Sequence, residues 1–236
     1  MLVNYKKKNP ARNKPGKKRQ NQQFDRTGIK VPICPQNIMP PRCVRTLNYI
    51  DSSYVRNNPG NNYLVYAMRI NDLYDPDPAI LSGSVSGFKE LMQFYSYYRV
   101  NSVNINLRIF NNESFALLYG AVFSQSNLTG TISSRDDAIN ALENDFSTKS
   151  RLLSAKGGLD HEDITFSIKP WQLLGDKKQY LAESNYTGLG LATPAIPLWV
   201  NFIVASPTGT ALTNGYTTAT VLSMTAEFFG RTNLRA

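Results

Sequence analysis

An all-β sandwich is the fold class that the sequence predicts, on three observations. Apolar and polar residues alternate with a period of two in five segments, the pattern of a strand with one buried face. The stretches between these segments are rich in Gly, Pro, Asn, Asp and Ser, the residues of turns and loops. Aromatic residues reach 11% while charged residues stay at 18%, a balance that favours strands over solvated helices.

Residues 42–50 are a first, weakly patterned strand, and Leu64, Tyr66, Met68 and Ile70 alternate in a second. Residues 87–95 then place Phe88, Leu91, Met92 and Tyr95 at i, i+3, i+4 and i+7, which predicts a short helix. The clearest strand is 99–110, where Val103, Ile105, Leu107 and Ile109 point one way and Asn104, Asn106 and Arg108 the other. A weaker strand at 115–124 precedes a second helix at 134–144, which opens on the capping-box-like Ser134-Arg-Asp-Asp137 and offers Ile139 and Leu142 to a core. The last four strands are 148–155, the Ile164, Phe166, Ile168 set, the Leu198, Val200, Phe202, Val204 set, and the Leu222, Met224, Ala226, Phe228 set. Strands do not alternate with long helices, which excludes a parallel βαβ sheet. Eight antiparallel strands and two short loop helices predict a single eight-stranded jelly-roll sandwich over residues 42–236.

The charge lies elsewhere. Of 26 basic side chains, ten fall in residues 1–30: Lys6, Lys7, Lys8, Arg12, Lys14, Lys17, Lys18, Arg19, Arg26 and Lys30. Asp25 is the one acid there, so this segment holds the whole net charge of +9 and the remainder is neutral. Block-like charge with little to bury predicts a disordered basic arm over 1–30. Residues 31–41, with Pro32, Pro35, Pro40 and Pro41, form an extended transition to the sandwich. Flexible cations at high density suit phosphate neutralisation with counterion release, which needs reach and no fold. All ten are therefore the expected nucleic-acid-binding residues. The clusters Lys6-Lys7-Lys8 and Lys17-Lys18-Arg19 also read as a nuclear-localisation signal.

Other functions find little support. The sequence has no GxSxG, Walker or HExxH motif, and one histidine, His161, in the run Asp160-His161-Glu162-Asp163, so no catalytic site, metal centre or cofactor is expected. That run reads as a polar turn before Ile164. Asp75-Pro-Asp77-Pro has two readings, a Pro-fixed loop or a pair of carboxylates for Ca²⁺ at a subunit contact, of which the loop is the plainer. Cys34 and Cys43 are read as reduced thiols. No apolar run approaches the roughly 20 residues of a membrane helix. The aromatic cluster Phe94, Tyr95, Tyr97, Tyr98, with Trp171 and Trp199, is expected to divide between core and subunit contacts.

Particular stretches carry a resemblance. Gly87-Phe88-Lys89-Glu90-Leu91, leading into Tyr95-Ser-Tyr-Tyr-Arg99-Val100-Asn-Ser-Val-Asn-Ile, resembles the helix and strand after the second jelly-roll strand in capsid proteins of circoviruses and other circular, Rep-encoding single-stranded DNA viruses. Residues 149–158 with 164–168 are similar to their middle strands, and Thr225-Ala-Glu-Phe-Phe-Gly-Arg231 to their last. The resemblance implies a capsid protein of a small icosahedral virion. Sixty copies in a T=1 shell would enclose a single-stranded genome bound by the arm, DNA in preference to RNA. It also implies assembly in the host nucleus, with an import receptor and a cell-surface receptor as partners. The rival readings are a nuclear nucleic-acid-binding β-sandwich module that forms no shell, a carbohydrate-binding jelly roll, and a cupin-like enzyme, which one histidine cannot equip.

Overall fold

A computed structural model describes residues 40–80, 83–143, 150–156 and 161–231. Nine strands run through them: β1 (Arg42–Arg56), β2 (Tyr63–Arg69), β3 (Tyr95–Asn111), β4 (Leu117–Ser124), β5 (Arg151–Leu153), β6 (His161–Ile168), β7 (Gly188–Leu189), β8 (Trp199–Ala205) and β9 (Tyr216–Arg231). Three α-helices join them: α1 (Phe88–Met92), α2 (Arg135–Leu142) and α3 (Lys177–Ala182).

The strands form two antiparallel sheets, ordered β1-β9-β3-β6 and β2-β8-β4-β5, with the two-residue β7 beside β3. The pairings are nested. The first long strand pairs with the last (β1 with β9), β2 with β8, β3 with β6, and β4 with β5. One long antiparallel hairpin rolled over onto itself gives this nesting, and it defines the jelly roll. Eight strands build it, and β7 is an addition to its first sheet.

The alternating residues do what their spacing requires. Val103 and Ile105 of β3 lie beside Met224 and Leu222 of β9, and all four are fully buried between the sheets. Burying each such side chain contributes roughly 1.5–3 kcal/mol. The residues between them, Asn104 and Asn106, are exposed.

Four details differ from expectation. Helix α1 is five residues long, and Tyr95 already belongs to β3. Strand β8 is buried on both faces, because α2 lays Ala138 and Leu142 over Ile203 and Ala205 of β8 and Val122 of β4, closing a second small core. The cap that starts α2 is as read: the Ser134 hydroxyl accepts the Asp137 N–H at 3.1 Å. A third helix, α3, lies between β6 and β7. It is too short to show a period and buries one side chain, Tyr180, whose hydroxyl donates to the Val100 carbonyl at 2.6 Å. The expected turn at 161–163 is the start of β6, paired with β3 from Phe110↔His161 onward.

Candidate nucleic-acid and assembly surfaces

The ten cations of the expected binding arm, Lys6 to Lys30, lie outside the described residues, as do Cys34 and Asp160. The described chain begins at Pro40. Its carbonyl accepts from the Tyr95 hydroxyl at 2.9 Å, and the backbone then enters β1, the edge strand of the first sheet.

The middle of the outer face of that sheet is polar, and its charges pair locally. Register sets Asn48, Ser223, Asn104 and Ser167 in one row across β1, β9, β3 and β6. Thr46 and Thr225 bond at 2.9 Å, as do Thr165 and Asn106. Arg108 and Asp163 form a bidentate pair at 2.6 and 2.7 Å. Both are more than half exposed, so solvent screening leaves the pair little net weight. Along β1, Val44, Ile50 and Val55 are 51, 64 and 59% exposed. A long edge strand with exposed β-branched residues offers unpaired backbone groups to another chain.

Two ionic networks, one buried and one half-buried, hold the loops beside β2. Arg56, at the end of β1, reaches Asp51 at 3.1 Å and Asp77 at 3.5 Å and lies over the Tyr66 ring, whose hydroxyl donates to Asp77. Burial pushes the Asp51 carboxyl up, although Arg56 opposes it. In the second network Asp72 accepts from the Tyr98 hydroxyl at 2.9 Å, from Thr193 at 2.8 Å and from Arg69 at 3.3 Å. Arg69 also bonds Asp75 at 3.2 Å. Asp75 and Asp77 thus belong to different networks, each with an arginine that holds its part of the loop. Among the described residues no group of three or more His, Cys, Asp or Glu side chains could hold a metal ion.

His161 and its neighbours also diverge. The His161 ring lies 5.4 Å from that of Phe110, Asp163 pairs with Arg108, and Glu162 accepts from the Tyr119 hydroxyl and from Arg151 at 3.3 Å. Alternation along β6 separates the two carboxylates onto opposite faces. Cys43 is a half-buried free thiol. Of the aromatic cluster, Tyr95 and Tyr98 are core, Phe94 is half-buried and Tyr97 is exposed; Trp199 is buried and Trp171 half-buried. Local pattern does not divide them, because Tyr97 and Tyr98 are distinguished only by which face of the sheet turns to the core. No helix among the described residues is long and apolar enough to cross a membrane.

The fold and these surfaces define the class: a single jelly roll with one polar sheet face and an exposed edge strand. No family model matches the chain, and no curated protein matches it. Among solved structures it is similar to that of a mud crab tombus-like virus, at 12% identity and a TM-score of 0.49, covering 91% of this chain and 94% of that one. It is similar as well to a Macrobrachium rosenbergii nodavirus semi-empty virus-like particle, at 12% identity and a TM-score of 0.47, covering 83 and 97%. A third is a T=1 subviral particle of a Penaeus vannamei nodavirus capsid protein deletion mutant, at 12% identity and a TM-score of 0.45, covering 82 and 97%. The nested pairing defines the jelly roll without them.

Proposed function

We propose that this chain is the coat subunit of a small icosahedral virus, and that it packages a single-stranded genome through residues 1–30. The observation that carries the reading is the division of labour along the chain. A neutral jelly roll with an exposed β-branched edge strand follows a segment that holds the entire net charge of +9. A neutral body can approach its own copies without long-range repulsion, while the cations gather on phosphate. In the finer form of the proposal, sixty copies close a T=1 shell, the genome is circovirus-like single-stranded DNA, and the two lysine-rich clusters serve nuclear import. Sixty arms would then bring roughly 540 positive charges to the genome, one per phosphate neutralised.

Negative-stain electron microscopy of the purified full chain, with absorbance at 260 and 280 nm on the same fraction, tests it. Closed particles of uniform size carrying nucleic acid are the expected result. A protein that stays monomeric across salt, pH and concentration, with nucleic acid added, would overturn the shell and leave the nuclear binding module.

A further inference from the structure

We propose that the outer face of the first sheet, at the end where β3 begins and β9 ends, is a second single-stranded nucleic-acid site. Bases stack there on the Tyr97–Phe229 pair and on Trp171, and Arg42, Arg99, Lys169 and Lys177 meet the phosphates. The packaging reading supplies only the class of partner. The residues themselves are separate from the arm.

Register builds the first half of the site. Phe229 of β9 lies between Arg42 of β1 and Tyr97 of β3. The Tyr97 and Phe229 rings stack with centroids 5.6 Å apart and planes 16° from parallel, and Tyr97 is 40% exposed. The Arg99 guanidinium sits 5.6 Å from the Phe229 centroid, held there by bonds of 3.2 and 2.8 Å to the Thr187 hydroxyl. An exposed ring with a fixed guanidinium beside it is a platform for any base, because every base has a π-face.

A cavity of about 400 Å³ makes the second half. Trp171, Lys169 and Lys177 line it from the segment after β6, Asn101 and Ser102 from β3, and Glu227 from β9. Glu227 joins the halves, since it also pairs with Arg42 at 3.1 Å. Lys169 lies 6.0 Å from the Trp171 ring. The register of β3 against β9 shifts between Val100 and Ser102, so Asn101 has no partner position and bulges toward the cavity it lines. The Tyr180 hydroxyl, bonded to the Val100 carbonyl, fixes that bulge. From Tyr97 to Asn101 is ~13 Å along the strand, so the ring pair and the cavity lie side by side.

Charge decides the occupant. The site sets four cations against the Glu227 carboxylate, in a body whose net charge is zero. A second copy of this net-neutral body brings no excess of anions to offset that positive charge, and each cation buried without a carboxylate is costly. A phosphodiester chain neutralises them and gives the rings something flat to stack on.

The test is ultraviolet cross-linking of full-length protein to oligothymidylate and to oligouridylate, with the adducts mapped by mass spectrometry, beside salt titrations of binding. The proposal expects adducts at Tyr97, Phe229 or Trp171 with both probes, since stacking reads neither sugar. Tyr97→Ala should weaken binding roughly 5- to 100-fold with the salt slope unchanged, and Tyr97→Phe should restore it. Lys169→Gln with Lys177→Gln, both exposed positions, should lower the slope by roughly 1.4. Adducts confined to residues 1–30, with the variants binding as wild type, would overturn this site and leave packaging by the arm standing. A Tyr97→Ala protein that binds normally but no longer forms particles would make the patch a subunit contact instead. Absence of binding to either probe would remove both the site and the packaging reading.

Discussion

Oε1 of Glu113, in the β3–β4 connection, accepts the backbone N–H of Gly215, in the β8–β9 connection, at 2.6 Å. The same oxygen takes the N–H groups of Thr213 at 2.7 Å and Asn214 at 2.6 Å, and Oε2 takes the Thr213 hydroxyl at 2.9 Å. One buried carboxylate therefore organises a whole loop. Gly215 has φ 66°, and a Cβ there would lie 2.1 Å from the Arg56 carbonyl oxygen, so only glycine brings the loop this close.

Burial pushes the Glu113 carboxyl up, but the backbone N–H of Gly215 and the other donors outweigh it and hold it below the ordinary 4.5. A depressed carboxylate contributes stability that is complete above the unfolded value and is lost as pH falls through the folded one. Glu113→Gln should cost about 2–3 kcal/mol at neutral pH and much less at about pH 3. Urea unfolding at the two pH values measures it. An equal cost at both would refute the charged-carboxylate account.

Arg56 neutralises two buried acids. Arg56→Met leaves Asp51 and Asp77 without it and should cost about 3–5 kcal/mol. Burial already raises Asp51, so the variant gains a proton there more readily than the unfolded chain does. Its deficit should therefore grow as pH rises from about 5 to 7. Thermal melting across that range gives the sign directly, and a deficit that shrinks with pH would contradict it.

Gly188 lies against the Tyr98 ring, and an added Cβ would sit 1.9 Å from its Cε1. The ring cannot swing aside, because its hydroxyl is fixed to Asp72 at 2.9 Å and to the Ala192 carbonyl at 3.0 Å. Gly188→Ala should destabilise by about 2–3 kcal/mol. Gly130→Ala, with nothing within 4 Å of the new Cβ, is the matched control and should change stability little.

For the arm, replacing Lys6, Lys7, Lys8, Lys17, Lys18 and Arg19 with Gln removes six of ten cations. Each lost phosphate contact should reduce the slope of log K against log salt by roughly 0.7 on single strands. Scrambling residues 6–30 at constant composition should preserve both affinity and slope. A scrambled arm that binds no better than the neutralised one would mean that order, and not charge, carries the binding.

Much of the sandwich was legible because a half-buried antiparallel strand needs an apolar residue at every second position. Strand β3 meets that requirement from Val103 to Ile109 and β9 from Leu222 to Phe228, and Ser134 with Asp137 announced α2 by local hydrogen bonding alone. Strand β8 was legible as a strand but not as one buried twice, since its nearly continuous apolar run, Trp199 to Ala205, does not say what covers the second face.

The sequence by itself determined the segregation of charge and the strand periodicity, because each is a property of neighbours along the chain. Tertiary structure alone decided which distant groups meet. Arg56 finds Asp77, Glu113 finds Gly215, and Phe229 slides under Tyr97, each through a register set by the hydrophobic faces of strands far apart in sequence. Helix α3 and the bulge at Asn101 belong to the same group. Six residues with one buried tyrosine carry no period of their own, and they settle as a helix where the Tyr180 hydroxyl meets the Val100 carbonyl. A one-residue slip in any of those registers would turn every side chain of the strand to the opposite face, so the cost of exposing the core fixes the contacts that local pattern leaves open.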